Sequence, residues 1–519
     1  MKKILQALFL ALGIVTLLAV AGLLLTDSPA RTLESFAIRH ADKLPLEYLG
    51  KRLFDRHCAS CHDNPAMHAP TREALSGFAK ETILVAMEFG TMQPMAAHLS
   101  RQERGLIAIY LAGSAENDDD WIAQHSCTGE GGSSTTPYVA NWGLGNHNQR
   151  FVSSALAGID RNNVVQLELA WSMAFPRVTD MRSQPAIIGD TLYFGDKAGK
   201  LYALDRTRGC VKAHTKVFSG VRSAITVATL NNGRQLLVFA DSVATVFAMD
   251  PQTLAIVWQQ PSRLYETSVI TGSISFHDDR LFVPVSSFEV AVSGSPSHIC
   301  CKSHGGVIAL DANDGEQLWQ WEATADATLQ GRNADGQEQY GPSGASVWTT
   351  PAIDAKRNRI YIGTGENLSH PATNTSDAII ALDMDSGAVW RFQATTGDVW
   401  NAACLNGGAN CPLNPGGDFD FGASVIIAGR PGGGELLLAG QKSGEVFALD
   451  PDHEGAVCGA TVSARAPQTA VSTGGWPCPA SACWCRWPTP KGSTDRTTHQ
   501  GPACMHWTSP VAHCCGNRE

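Results

Sequence analysis

The sequence predicts an all-β propeller with a small all-α domain on its N-terminal side and a membrane-crossing segment ahead of both. Three observations predict it. A phrase of apolar residues ending at an acid recurs as Tyr202-Ala203-Leu204-Asp205, Phe247-Ala248-Met249-Asp250, Ile308-Ala309-Leu310-Asp311, Ile380-Ala381-Leu382-Asp383 and Phe447-Ala448-Leu449-Asp450. Between residues 44 and 113 the apolar positions fall instead at the three-to-four spacing of helices. Residues 4–25 form an uncharged run behind Lys2 and Lys3, long enough to span a bilayer.

The leading run, residues 1–26, reads as a signal peptide or an uncleaved membrane anchor, since no clear small-x-small cleavage site follows it. Either carries the rest across a membrane, in a bacterium into the periplasm, secreted or anchored to the inner membrane. Within residues 44–113 stands Cys58-Ala59-Ser60-Cys61-His62. Two thiols three apart beside an imidazole meet the needs of covalent haem c: the thiols add across the porphyrin vinyl groups and His62 ligates the iron. A zinc site would need two more ligands at comparable spacing, and the next cysteine is Cys127. The stretch from Gly90 to Ser100 resembles the end of small class I cytochromes c, where a methionine seven residues before a Leu-Ser helix start is the sixth iron ligand. Met92 stands at that spacing from Leu99-Ser100, with Met95 as the alternative. Residues 44–113 are therefore expected to form a cytochrome c domain.

Residues 114–140, with Asp118-Asp119-Asp120 and Gly131-Gly132-Ser133-Ser134, read as a linker. Residues 141–457 are short alternating segments between Gly, Asp and Asn turns, and a tryptophan commonly follows the phrase, as at Trp258, Trp319 and Trp390. A hairpin that turns at Asp-x-x-x-Gly and leaves toward Trp cannot bury its apolar face alone. Copies must stack, and four short strands per unit suit propeller blades. Residues 458–519 break the pattern with seven of the 15 cysteines, four tryptophans and seven prolines. Met505-His506-Trp507-Thr508 must be encoded ATG CAY TGG ACN, which from its third base reads GCA YTG GAC, or Ala-Leu-Asp. These residues are therefore expected to be a frameshifted tail, leaving the ring open and short of its last blades.

The Ala-Leu-Asp-x-x-x-Gly-x-x-x-Trp phrase, preceded by Asn146-His147-Asn148-Gln149-Arg150-Phe151, resembles the blade motif of quinoprotein alcohol dehydrogenases. These are eight-bladed propellers that hold pyrroloquinoline quinone and usually Ca2+. The resemblance covers residues 141–450 and is nearest to cytochrome-fused members that oxidise polyvinyl alcohol. It implies that Trp348 is the floor on which the quinone stacks, that Thr271 contacts the quinone, and that Lys442 polarises one of its carbonyls. Glu289, in Ser286-Ser287-Phe288-Glu289, and Asn367, in Gly363-Thr364-Gly365-Glu366-Asn367, match calcium-binding positions. Where the family places its catalytic aspartate this chain has Ala372, so Asp377 is taken as the base and third calcium ligand, ahead of Glu366. Adjacent Cys300 and Cys301 can close only a strained eight-membered ring, which quinoproteins use as a lid over the cofactor. Cys404 and Cys411 could close a short loop.

The implied function is periplasmic oxidation of polyvinyl alcohol or other secondary alcohols. Electrons would pass to the fused haem c and then to an acceptor such as a soluble cytochrome c or a membrane oxidase. The alternative is a haem-bearing propeller that only binds partner proteins, because scaffold propellers share the blade phrase. A net charge of -10 argues against a nucleic-acid partner.

Overall fold

The structure, a computed structural model, describes residues 46–462 apart from 65–66, 68, 77–79, 89–91, 113–117, 130–135, 177, 179–180, 296–297, 406 and 431, together with the backbone of 483–485 and 504–506. The expected leader, 1–26, and most of the expected tail, 458–519, lie outside the described residues. Among those described, no helix is long and apolar enough to cross a membrane.

Residues 46–112 are helical. The helices Leu46–His57 and Arg101–Leu111 pack closely because residue 50 is glycine: a Cβ there would lie 2.1 Å from the Leu106 carbonyl oxygen. Between them Phe54 and Ile107 are fully buried, with Ile83, Met87 and Leu99 around them. Ser100 opens the second helix with a capping box, in which its hydroxyl accepts from the Glu103 amide and the Glu103 carboxylate accepts from the Ser100 amide. Such a cap is worth about 1 kcal/mol. This helix is buried on nearly every side, including Gln102 and Gly105, so something besides the helical core must cover it.

The expected linker carries a helix. Its helix Asp118–His125 sets Trp121 and Ile122 against Phe194 and Tyr202, and Cys127 is disulfide-bonded to Cys210. Two apolar side chains in an acidic run give this segment a face to bury.

Five antiparallel sheets follow, each a blade. The first is Ala186–Ile188, Thr191–Gly195, Lys200–Asp205 and Val211–Lys216, with Pro137–Val139 added beside its first strand. The second is Thr226–Thr229, Gln235–Ala240, Thr245–Met249 and Ile256–Pro261; the third is Ser275–His277, Arg280–Ser287, Gly306–Asp311 and Gln317–Glu322. The fourth is Ala352–Asp354, Arg359–Gly363, Ala378–Asp383 and Gly387–Gln393; the fifth is Ile426–Gly429, Glu435–Gly440, Glu445–Asp450 and Ala456–Val462.

The recurring phrase is the third strand of every blade. Its acid caps the next turn: the Asp205 carboxylate accepts from the amides of Thr207 and Arg208, and Asp383 from those of Asp385 and Ser386. The tryptophan joins neighbours. Trp258 Nε1 donates to the Ala312 carbonyl of the next blade at 3.0 Å, and its ring lies against Gly315, where a Cβ would come within 2.6 Å. Trp319 repeats this at the Met384 carbonyl, 2.8 Å away, while the first blade uses the Tyr193 hydroxyl on the Pro251 carbonyl.

A lead-in segment sews blades together. The Asn146 and His147 carbonyls accept from Ile353 and Ile427, and Asn148 Nδ2 donates to the Thr350 and Val425 carbonyls of the fourth and fifth blades. No sheet among the described residues joins first blade to last, so the ring is not closed. Pairing in the fifth blade runs on to Val462, past the expected boundary at Val457.

Because strands alternate in direction, the turns between second and third strands and the crossovers between blades all open on one face. Thr271, Glu289, Cys300, Cys301, Trp348, Asn367, Asp377 and Lys442 all lie on those loops.

Candidate active site

Lys442 stands on the second-to-third-strand turn of the fifth blade. Its ammonium donates to Asp420 Oδ2 at 2.7 Å, contacts Asp418, and lies 5.2 Å from the centroid of the Trp348 ring. Residue 422 is glycine where the chain passes the indole: a Cβ there would be 2.5 Å from the ring.

Behind Lys442 the carboxylates accumulate. Glu366, Asp377 and Asp420 are all buried and bring one oxygen each within 4.8 Å of the others. Asp420 Oδ1 accepts from the Glu366 amide at 2.8 Å. Both oxygens of Asp377, both of Asp398 and Oε2 of Glu366 are buried with no donor on them. Burial, and then Asp398, holds Asp377 well above the ordinary carboxylate range; burial and Asp420 do the same to Glu366. Burial also raises Asp398 and Asp418. Asp420 goes the other way: burial opposes it, but Glu366 and Lys442 keep its carboxyl below the usual value. Burial would lower the Lys442 ammonium, yet Asp420 and Glu366 hold it above its ordinary range.

Buried carboxylates without donors are costly unless protonated or bound to a cation. Several hard oxygens converging from two loops are the donor set that Ca2+ takes. The set fits such an ion.

The calcium trio expected from the sequence is gathered differently. Asp377 joins Glu366 and Asp420, whereas the Glu289 carboxylate is engaged by the amides of Lys302 and Ser303, the Ser303 hydroxyl and His298 Nε2. Asn367 Oδ1 accepts from the Thr373 amide and its Nδ2 donates to the Ser343 carbonyl. The physical reason is the loop after Glu289, which folds back and supplies its donors locally. That loop carries the Cys300–Cys301 disulfide, buried against Leu368 with Asn401 Nδ2 3.9 Å from the Cys300 sulfur. Cys404–Cys411 is also closed, and Thr271 Oγ1 meets Ser286 Oγ at 3.1 Å. Sequence reasoning missed Asp398, Asp418 and Asp420. The available signal was Asp418-Phe419-Asp420-Phe421, acid alternating with aromatic outside any strand.

In the helical unit Cys58 and Cys61 are free thiols, whereas Cys127, Cys210, Cys300, Cys301, Cys404 and Cys411 are paired. His62 Nδ1 lies 2.7 Å from the Pro70 carbonyl oxygen, which makes Nδ1 the donor and leaves Nε2 for a metal. Burial pushes the Cys58 thiol up to about 11. Met92 packs with Cys58 against the cluster around Phe54, while Met95 is 57% exposed. This residue set fits haem c.

The chain is similar to known proteins along most of its length. The family described as glucose/ethanol/alcohol dehydrogenase, beta-propeller domain (PQQ) matches residues 290–404. A polyvinylalcohol dehydrogenase of Sphingopyxis sp. (strain 113P3) is 33% identical over 452 residues, covering 82% of this chain and 68% of that protein. One from Pseudomonas sp. is 32% identical over 429 residues, 78% of this chain and 66% of that one. The quinohemoprotein alcohol dehydrogenase of Comamonas testosteroni is 23% identical over 329 residues, 57% of this chain and 43% of that one. This chain thus spans about two thirds of the length of the two polyvinylalcohol dehydrogenases.

Proposed function

We propose, on the premise that this chain belongs to the polyvinylalcohol dehydrogenase family of PQQ-dependent enzymes, that it oxidises secondary alcohols, polyvinyl alcohol among them. The single observation that carries this is the Asp420–Lys442–Trp348 arrangement: a carboxylate, an ammonium and a half-buried indole within reach of one another on the loop face. Pyrroloquinoline quinone, when bound, supplies the two-electron acceptor. Trp348 would hold its planar rings and Lys442 would face its oxygens. Glu366, Asp377 and Asp420 would hold Ca2+. Asp420 is the base we assign, because Glu366 and Lys442 hold its carboxyl below the usual range and it lies beside Lys442 and Trp348. Asp377, taken as the base from the sequence, is fully buried with no donor on either oxygen, and burial and Asp398 raise its carboxyl above the ordinary range. Asp420 Oδ2 therefore takes the substrate's hydroxyl proton, and Lys442 keeps that carboxylate oriented.

Cys58, Cys61, His62 and Met92 would hold haem c, which fits a periplasmic protein that hands electrons to a soluble cytochrome or a membrane oxidase. Reconstitution tests the reading. Protein supplied with pyrroloquinoline quinone and Ca2+ should oxidise 2-propanol or polyvinyl alcohol with phenazine methosulfate as acceptor. Failure to bind the quinone would leave only a partner-binding propeller.

A further inference from the structure

The helix Arg101–Leu111 has a buried face that the helical core does not cover, and the propeller covers it. The Arg101 guanidinium lies 4.8 Å from the centroid of the Phe288 ring, while Arg101 Nε donates to Glu88 at 3.0 Å. Arg263 donates to Gln102 Oε1 at 3.1 Å, and Gly105 packs on Phe218, whose ring a Cβ would meet at 3.2 Å. Lys80 Nζ reaches the Ala198 carbonyl at 3.2 Å. Ala198, Phe218, Arg263 and Phe288 all belong to second-to-third-strand turns or crossovers of the first three blades, so the helical unit sits on the face that carries the carboxylate site. Phe288 immediately precedes Glu289, and Arg101 follows the segment that carries Met92.

We propose that the Arg101–Phe288 contact, with Gln102–Arg263 and Gly105–Phe218 beside it, is the docking joint that holds the haem unit over the redox face and lets electrons cross. This rests on the dehydrogenase reading. A secondary alcohol loses two electrons and two protons to become a ketone. The electrons leave one at a time, each reducing ferric haem to ferrous haem, which an external one-electron acceptor reoxidises; the protons leave to solvent. Arg101 and Gly105 are positioning residues in this scheme.

The test uses the full chain loaded with haem, quinone and Ca2+. In wild-type protein, adding 2-propanol without acceptor should reduce the haem in stopped flow. Arg101→Ala should slow haem reduction roughly tenfold, the scale of one lost buried cation–π contact, and leave turnover with phenazine methosulfate unchanged. Arg101→Lys should restore much of the rate. Gly105→Leu, which wedges the joint from the other side, should act like Arg101→Ala. In quinone-free protein, amide exchange across Arg101–Leu111 should quicken in both disruptive variants. Unchanged haem reduction and unchanged exchange in both would overturn the proposal, as would wild-type protein with dye-linked turnover but no haem reduction. Absence of dye-linked turnover in wild type would instead sink the dehydrogenase reading, with the exchange measurement still deciding the joint.

Discussion

Asp420 and Asp377 sit in one cluster and face opposite electrostatics, so substitutions at the two should part company. Asp420→Asn keeps size and removes the proton acceptor; turnover should fall by roughly 10²–10⁴, with quinone binding, read by fluorescence titration, retained. Asp377 bears on stability. Its folded carboxyl, like that of Glu366, is raised above the ordinary values of 3.8 and 4.5, so the folded state holds protons that the unfolded chain releases. Stability from these groups is full below those values and is lost as pH rises through the raised folded ones. Chelated protein should therefore lose thermal stability as pH rises from 5 to 8, Ca2+ should reverse the loss, and Asp377→Asn should flatten the profile in chelator. A flat profile in the wild-type chelated protein would remove the cation assignment. Met92→Ala should abolish the weak red absorption of methionine-ligated ferric haem; an unchanged spectrum moves the ligand to Met95.

At the scale of the blade, the phrase was readable because everything it specifies is local or next-door. Asp caps its own turn, a left-handed Gly209 or Gly315 closes it, and the tryptophan reaches only the adjacent blade. The carboxylate cluster was not readable for the complementary reason. Asp398, Asp418 and Asp420 stand on a long crossover without period, and only its folding back over the fourth blade's own loop brings them to Glu366 and Asp377. Asp377 was singled out, and the structure gathers it with Glu366 and Asp420, while Glu289 has a folded-back loop of donors that no spacing rule shows. Trp258→Ala should destabilise the propeller by about 3–5 kcal/mol, read by urea unfolding followed through blade fluorescence. Trp258→Phe should cost about 1 kcal/mol more than a neutral swap, for the lost bond to Ala312. Equal costs for both would show that the hydrogen bond, and not the ring, joins the blades.

For the whole molecule, no sheet among the described residues joins the first blade to the last, and a blade face and strand edge left that way would favour aggregation. A one-base frameshift would give this a cause outside the fold. Resequencing the coding DNA near the Val457 codon should reveal a one-base discrepancy, and the corrected frame should restore Ala-Leu-Asp at the positions now read as Met505 to Thr508. An intact gene encoding a folded, quinone-active chain of this sequence would refute it.

Asn148 sets a timetable. Its two acceptors lie 202 and 277 residues further along the chain, so a polypeptide emerging from its N-terminus lacks the first until the fourth blade begins and the second until the fifth does. Blades that rely on neighbours can assemble in sequence as they appear, but this stitch can be completed only once the fifth blade is reached, after a very long loop has closed. The segment just behind the helical unit is thus among the first parts synthesised and among the last to find its place, and any quality-control protease that meets the unfinished arc would find its handle there.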